Sequence, residues 1–179
     1  LVVFTDLPGI RADMEIETDV PRAAVLVPLF VDGSSLRMVL TKRPLHMPTH
    51  AGDLAFPGGK PQPGEGPVDT ALREADEEVG IRPADVEVLG FLPDIHTVTY
   101  TRMVVPVVGR LQSVPRLVPD PGEVDKVLLP EVDMFREEAA WRTEYWDDRP
   151  VHFFPIGEEI LWGATARMVR QLVGLDVQG

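Results

Sequence analysis

The chain has 179 residues, 44% of them hydrophobic, which is enough for one domain with a core of its own. It contains no cysteine, excluding a disulfide framework, a thiolate zinc site and a cysteine nucleophile. Acidic residues outnumber basic ones, 29 to 17, and the net charge of −12 argues against nucleic acid, whose binding rests on Lys and Arg contacts to phosphate.

No apolar run is long enough to cross a bilayer, so no membrane partner is expected. The sequence opens on Leu1 rather than Met, which points to a short preceding piece, and nothing in it suggests targeting away from the cytoplasm. Leu1 to Val20 has little periodicity. Arg22 to Phe30 is an apolar, β-branched run and reads as a buried strand. A turn at Val31–Ser35 leads to a second strand, Leu36–Thr41, and the two form a hairpin. Arg43 to Gly52, with Pro44, His46, Pro48 and His50, has no clean period and reads as a loop.

Phe56 to Ile81 follows, and the rest of the chain is organised around it. Its first half, with Pro57, Gly58, Gly59, Pro61, Pro63, Gly64, Gly66 and Pro67, is a stiff loop with several permissive backbone positions. Ala71 to Val79 is predicted to be helical, capped by Asp69 or Thr70 and ended by Gly80. Glu74, Glu77 and Glu78 then share one helical face, with Cβ atoms about 5–6 Å apart, and only Arg73 is close by to offset them. Carboxylates at that spacing suit a hard divalent cation, Mg²⁺ above all. A solvated acidic face is the alternative, and the stiff loop that feeds the helix argues against it.

Beyond the helix, strands are expected at Asp85–Leu92, Met103–Leu111 and Val124–Leu129, with Pro106 marking a bulge or an edge. Thr97–Arg102 reads as a loop, and Val114–Gly122 as a Pro-rich connection. Pro130–Trp141 is expected to be a helix. Thr143–Trp146 and Val151–Phe154 flank a hairpin turn, and Glu158–Val173 is an amphipathic closing helix ending at Gly174. A mixed sheet with a helix on either side is an α/β layer architecture.

Gly59, Glu65, Arg73, Glu74, Glu77, Glu78, Gly80 and Ile81 stand at the places of the Nudix box, G-x5-E-x7-R-E-U-x-E-E-x-G-U, and the chain resembles the Nudix hydrolases. Ala75 is the one departure, small where the pattern has a bulky residue. The resemblance implies a single domain over 1–179 with the Nudix-type α/β/α sandwich. A second stretch resembles the coenzyme A pyrophosphatase branch of that family, at Leu40, Thr41, Arg43, Gly52 and the run Phe56–Gly59. It departs from that branch at Pro44 and at Pro48, where an Arg is expected. Ile160–Ala166 is similar to the start of the last helix in the branch.

The resemblance implies hydrolysis of a phosphoanhydride in a small nucleotide-containing substrate. Glu74, Glu77, Glu78 and Glu65 would hold Mg²⁺ or Mn²⁺, and Glu65 has a second possible role in binding loop N–H groups. Glu78, Glu77 and the loop carboxylate Glu123 are the candidates for catalysis; a plain surface role for Glu123 stays open. Arg73 is expected to orient a helix carboxylate. Arg43, Lys42, His50, Phe56, Gly58 and Gly59 are the candidate substrate contacts. Arg43 could equally pair with an acid of the helix or loop, and His46 and His50 read as polar loop residues rather than bases. Phe91 and Tyr100 are candidates for stacking on adenine or for core positions. Coenzyme A is the expected substrate, ADP-ribose or another nucleoside-diphosphate compound the rival, and a non-catalytic nucleotide sensor the reading from another class. A homodimer is compatible with all three.

Overall fold

A computed structural model of the chain describes residues 4–13, 22–96 and 103–177. Strand β1 (Arg22–Asp32) is buried on both faces: Ala24, Leu26 and Phe30 enter one apolar cluster, while Val27 and Leu29 enter another. Two residues, Gly33 and Ser34, turn it into β2 (Ser35–Met38), with Gly33 at a left-handed φ of 61°. The second strand of this hairpin is shorter than the sequence suggests. At Val39 the N–H bonds back to the Pro28 carbonyl (3.1 Å), and the next residues, β3 (Leu40–Lys42), leave for another sheet. Two short strands follow, β4 (Leu54–Ala55) and β5 (Gly58–Gly59), of which β5 returns to pair with β1 at Ala24 and Val25.

Helix α1 (Pro67–Val79) begins four residues before the predicted Ala71. Pro67 sits at the first helical position, where its missing N–H costs nothing and its fixed φ favours the turn. Gly66, not Asp69 or Thr70, is the N-cap residue, and the Asp69 carboxylate reaches back to the Gly66 N–H (3.3 Å). Gly80 ends the helix at φ 74°, as predicted. β6 (Val86–Phe91), β7 (Ile95–His96) and β8 (Met103–Leu111) come next. Phe91 packs against the apolar cluster under α1; Tyr100 and the predicted loop at 97–102 lie outside the described residues. β8 is an interior strand, which corrects the edge expected at Pro106. The Pro106 carbonyl accepts from Leu92 (3.0 Å), so its missing N–H faces the same side, in the gap between β6 and β7 where no partner is required.

After β9 (Lys126–Leu128), the predicted helix at Pro130–Trp141 is two 3₁₀ turns, Val132–Arg136 and Glu138–Ala140. The buried residues Val132 and Phe135 are three apart, the period of a 3₁₀ helix. β10 (Arg142–Trp146) and β11 (Arg149–Ile156) form a hairpin whose turn residues Asp147 and Asp148 both have positive φ. The start of the predicted closing helix is a strand, β12 (Glu159–Trp162): Leu161 is fully buried while Ile160 is half-exposed, a period of two. Helix α2 (Gly163–Leu172) begins only there.

The main sheet runs β2-β1-β8-β6, with β5 and β7 attached; β1 and β8 are parallel and the other pairs antiparallel, so the sheet is mixed. Ala71, Ala75 and Val79 of α1 pack on Leu26, Phe30, Val105 and Val107 on one side. Met168, Val169 and Leu172 of α2 share the other cluster with Val27, Leu29 and Val108. The small Ala75 lets α1 lie close on β1, which brings its carboxylates up to β5. No helix among the described residues is long and apolar enough to cross a membrane.

Candidate active site

Arg73 gathers the acidic side chains around the start of α1. Its guanidinium donates to Glu65 (2.6 and 3.1 Å), Glu74 (3.0 Å), Glu77 (3.1 Å) and the Lys60 carbonyl (3.0 Å). The like charges of the helical face are therefore partly offset by this one cation. Glu65 also accepts from the Gln62 N–H (2.9 Å) and the Thr70 hydroxyl (3.0 Å). With both oxygens engaged, Glu65 anchors the loop to the helix, and its bond from the Gln62 N–H is the loop contact the sequence offered as its second role. Arg73 is the first cause of a Glu65 pKa lowered to about 2.

Glu78 is in the opposite condition. Burial pushes its pKa up to about 8, and the nearby charges of Glu74 and Glu123 push the same way. The Gly58 N–H, hydrogen-bonded to the carboxylate, and the charge of Arg43 oppose the rise. Glu123 reaches this neighbourhood because its loop is tied to the end of α1. Val118 N–H bonds the Val79 carbonyl and Asp120 N–H the Glu78 carbonyl, both at 2.8 Å, satisfying groups that a helix end leaves open. The same loop continues to Asp125, whose N–H bonds the Lys42 carbonyl (2.9 Å). One loop thus joins α1 to the segment carrying Arg43.

The glycines of β5 are required by close packing. A Cβ on Gly59 would lie 2.5 Å from Glu74 Oε1, and one on Gly58 2.4 Å from the Ala24 carbonyl oxygen. Arg43 makes no ion pair among the described residues; one terminal nitrogen lies 3.4 Å from the Thr49 carbonyl, and its Nε is buried without a partner. Three other candidates have the following surroundings. Lys42 is paired with Glu159 (2.9 Å), so its charge is already answered. His50 is exposed, holds a positive φ of 55° and pairs with Asp53 (3.1 Å). Phe56 is buried in the core cluster and has no face for a substrate. Sequence reasoning missed Asp53, Glu159 and Trp162. Trp162 donates its indole N–H to Asp53 (3.1 Å), 109 positions away, and no local pattern announces such a pair.

Among the described residues no three carboxylates or imidazoles form a ready-made cation cage. The donor set nevertheless fits a hard cation. Mg²⁺ keeps several waters and takes one or two carboxylates together with substrate phosphates. Glu74 and Glu78 would provide those two, Glu77 stands at the exposed end of the row, and Gly59 leaves open the space beside Glu74 that a Cβ would fill. Arg73→Lys should disturb this set without removing any of its carboxylates, because an ammonium cannot span Glu65, Glu74 and Glu77 together. Activity is expected to fall about ten- to a hundredfold, the usual cost of losing a group that orients ligands. Glu65 contributes stability above pH 4.5 that is lost as pH falls toward its folded pKa of about 2. The variant should lose part of that contribution, so its acid unfolding should begin at higher pH, as a circular dichroism titration would reveal.

A family model described as the NUDIX domain matches residues 20–152. The Arabidopsis thaliana protein "Nudix hydrolase 22, chloroplastic" is 38% identical over 83% of the chain and 53% of its own length. The chain thus spans about half of that plant relative. The "Uncharacterized Nudix hydrolase NudL" of Pectobacterium atrosepticum is 35% identical over 84% of the chain and 80% of its own length. Among solved structures, a MutT/nudix family protein from Enterococcus faecalis superposes with a TM-score of 0.60 over 89% of this chain and 63% of the other, at 16% identity.

Proposed function

The chain belongs to the Nudix family, and from that premise we propose that it is a divalent-metal-dependent pyrophosphatase that cuts the diphosphate linkage of coenzyme A or its derivatives, giving 3′,5′-ADP and 4′-phosphopantetheine. The observation that carries the reading is Glu78, a half-buried carboxylate beside Glu74 that accepts the Gly58 N–H. Two acids in that position repel each other, and the chemistry that relieves them is a cation shared with an anionic substrate. Mg²⁺ or Mn²⁺ held by Glu74, Glu78 and Glu77 would supply charge neutralisation and a more acidic bound water. Arg43 is the side chain to meet a diphosphate oxygen, since its buried Nε lacks a partner. Glu78 is engaged at the metal in this reading. Glu123 is then the carboxylate that accepts the proton of the attacking water as the bridging P–O bond breaks.

The pairing of Lys42 with Glu159, the burial of Phe56 and the proline at position 48 leave few groups in the Leu40–Gly59 signature free to read coenzyme A. They favour a second reading, a pyrophosphatase of ADP-ribose or another nucleoside-diphosphate compound. A hydrolysis screen of coenzyme A, acyl-coenzyme A, ADP-ribose, NADH and diadenosine polyphosphates separates the two. Coenzyme A is expected to give the highest kcat/KM; a preference for ADP-ribose would sink the first reading. EDTA should abolish turnover and added Mg²⁺ or Mn²⁺ restore it, and turnover that persists in EDTA would refute the metal assignment.

A further inference from the structure

The sheet β10-β11-β12 carries aromatic side chains that the core does not use. Strand alternation sends His152, Phe154 and Leu161 into the interior, and Trp146, Phe153 and Trp162 to the other face. Phe153 and Trp162 are cross-strand partners whose rings are almost parallel, at 7° and 6.2 Å. Trp146 closes on them at 6.1 and 5.9 Å. Beside this platform, at the start of α2, lies a cavity of about 200 Å³ lined by Trp146, Trp162, Arg149, Arg167 and Asp147. Arg149, Arg167 and Asp147 are the charged side chains of Arg, Lys, Asp or Glu on its wall. Arg167 lines it, and the Nε of that side chain is buried without a hydrogen-bond partner. Gly163 and Ala164, in the first turn of α2, also line the cavity, and no side chain caps that turn.

The cavity wall connects to the reaction centre in two steps. Trp162 bonds the Asp53 carboxylate (3.1 Å), and the Asp53 carbonyl accepts the Arg43 N–H (2.9 Å). Arg43 is in turn an electrostatic neighbour of Glu78. The cavity is smaller than the roughly 300–1,000 Å³ that whole ligands occupy, so it suits one end of a longer molecule.

We propose that this cavity is the subsite for the phosphorylated nucleobase end of the substrate, with the base on the Trp146–Trp162 platform and a ribose phosphate on Arg149 and Arg167. The inference rests on the reading of the protein as a nucleotide-diphosphate hydrolase and adds where the nucleotide half sits. It gives selectivity for a 3′-phosphate to the arginines of this cavity, while Arg43 serves the diphosphate. Flat aromatic faces bind any base by stacking, and a guanidinium fork matches phosphate geometry.

Titration of the full chain with 3′,5′-ADP in EDTA, followed by tryptophan fluorescence, tests binding apart from hydrolysis. Quenching is expected on binding, and Trp146→Ala and Arg167→Gln should each weaken it about tenfold or more. Arg149→Gln, at an exposed position, and Trp146→Ala decide the matter if Arg167→Gln fails to fold. In steady state, Arg167→Gln should raise KM for coenzyme A about tenfold and leave KM for 3′-dephospho-coenzyme A within about twofold. If the wild type binds 3′,5′-ADP and the variants do not, the subsite stands even should coenzyme A prove not to be a substrate. If coenzyme A is hydrolysed but the variants bind 3′,5′-ADP like the wild type, or 4′-phosphopantetheine displaces it, the subsite is refuted and the hydrolase reading survives.

Discussion

Glu78→Gln is expected to lower kcat by about two to four orders of magnitude while making the metal-free protein more stable at neutral and alkaline pH. In the proposed reading Glu78 holds the metal, so its removal forfeits part of the several kcal/mol of charge stabilisation that a bound metal supplies, and each ~1.4 kcal/mol is about tenfold in rate. The stability gain follows from the burial of Glu78 and the repulsion from Glu74, which raise its pKa from 4.5 to about 8. Below pH 4.5 the carboxyl is protonated in the folded and unfolded chains alike, and the folded state is under no strain from it. Between pH 4.5 and about 8 the folded chain keeps a proton that the unfolded chain has released, so stability declines as pH rises and the loss is complete above that range. The decline amounts to a few kcal/mol at most, since each pH unit of displacement is worth about 1.4 kcal/mol. Gln is neutral throughout and can still accept the Gly58 N–H. Melting temperatures at pH 5, 7 and 9 in EDTA would therefore fall more steeply for the wild type than for the variant, and added Mg²⁺ should flatten the wild-type curve. Parallel curves would show that Glu78 carries no buried charge, and near wild-type turnover would remove it from the reaction.

Gly58→Ala should be the most damaging single methyl group in the site. The new Cβ would lie 2.4 Å from the Ala24 carbonyl oxygen, 2.6 Å from Val25 Cγ1 and 2.7 Å from Val25 Cα. Two of these atoms are backbone, so relief requires parting β5 from β1. Overpacking of this kind costs about 1–3 kcal/mol, and the lost strand pairing adds to it. For a domain of this size each kcal/mol lowers Tm by roughly 2–4 °C. A drop of about 5–10 °C is expected, together with a loss of activity beyond what the stability change explains, because the Gly58 N–H that steadies Glu78 moves with the strand. Gly33→Ala is the useful contrast: nothing lies within 4 Å of its Cβ, so only the left-handed φ of 61° is penalised and activity should survive. An unchanged melt and rate for Gly58→Ala would refute the close contact between β5 and β1.

The residues along α1 were legible because their information is local. Glu74, Glu77 and Glu78 share a face through helical spacing alone, and Gly80 ends the helix through its own backbone freedom. The strand at Arg22–Asp32 was equally plain from its unbroken apolar run. The segment 130–162 was less legible, since short apolar runs fit several periods. A spacing of three at Val132 and Phe135 resembles a helix until the 3₁₀ turns are observed, and Glu159–Trp162 becomes a strand because β11 offers it a ladder.

By itself the sequence determined the family, the mixed α/β sandwich and the row of carboxylates, all of which depend on residue types at short, regular spacing. Which of those side chains remain available was decided by the tertiary structure. Arg73 draws Glu65 into the loop, Glu159 answers Lys42 from 117 positions away, and the core takes Phe56. The raised pKa of Glu78 likewise comes first from burial, with the docked Glu123 loop adding to it and β5 and Arg43 opposing it, and none of these three elements neighbours it in sequence. Burial and charge act through distance in space, and only the folded chain sets those distances.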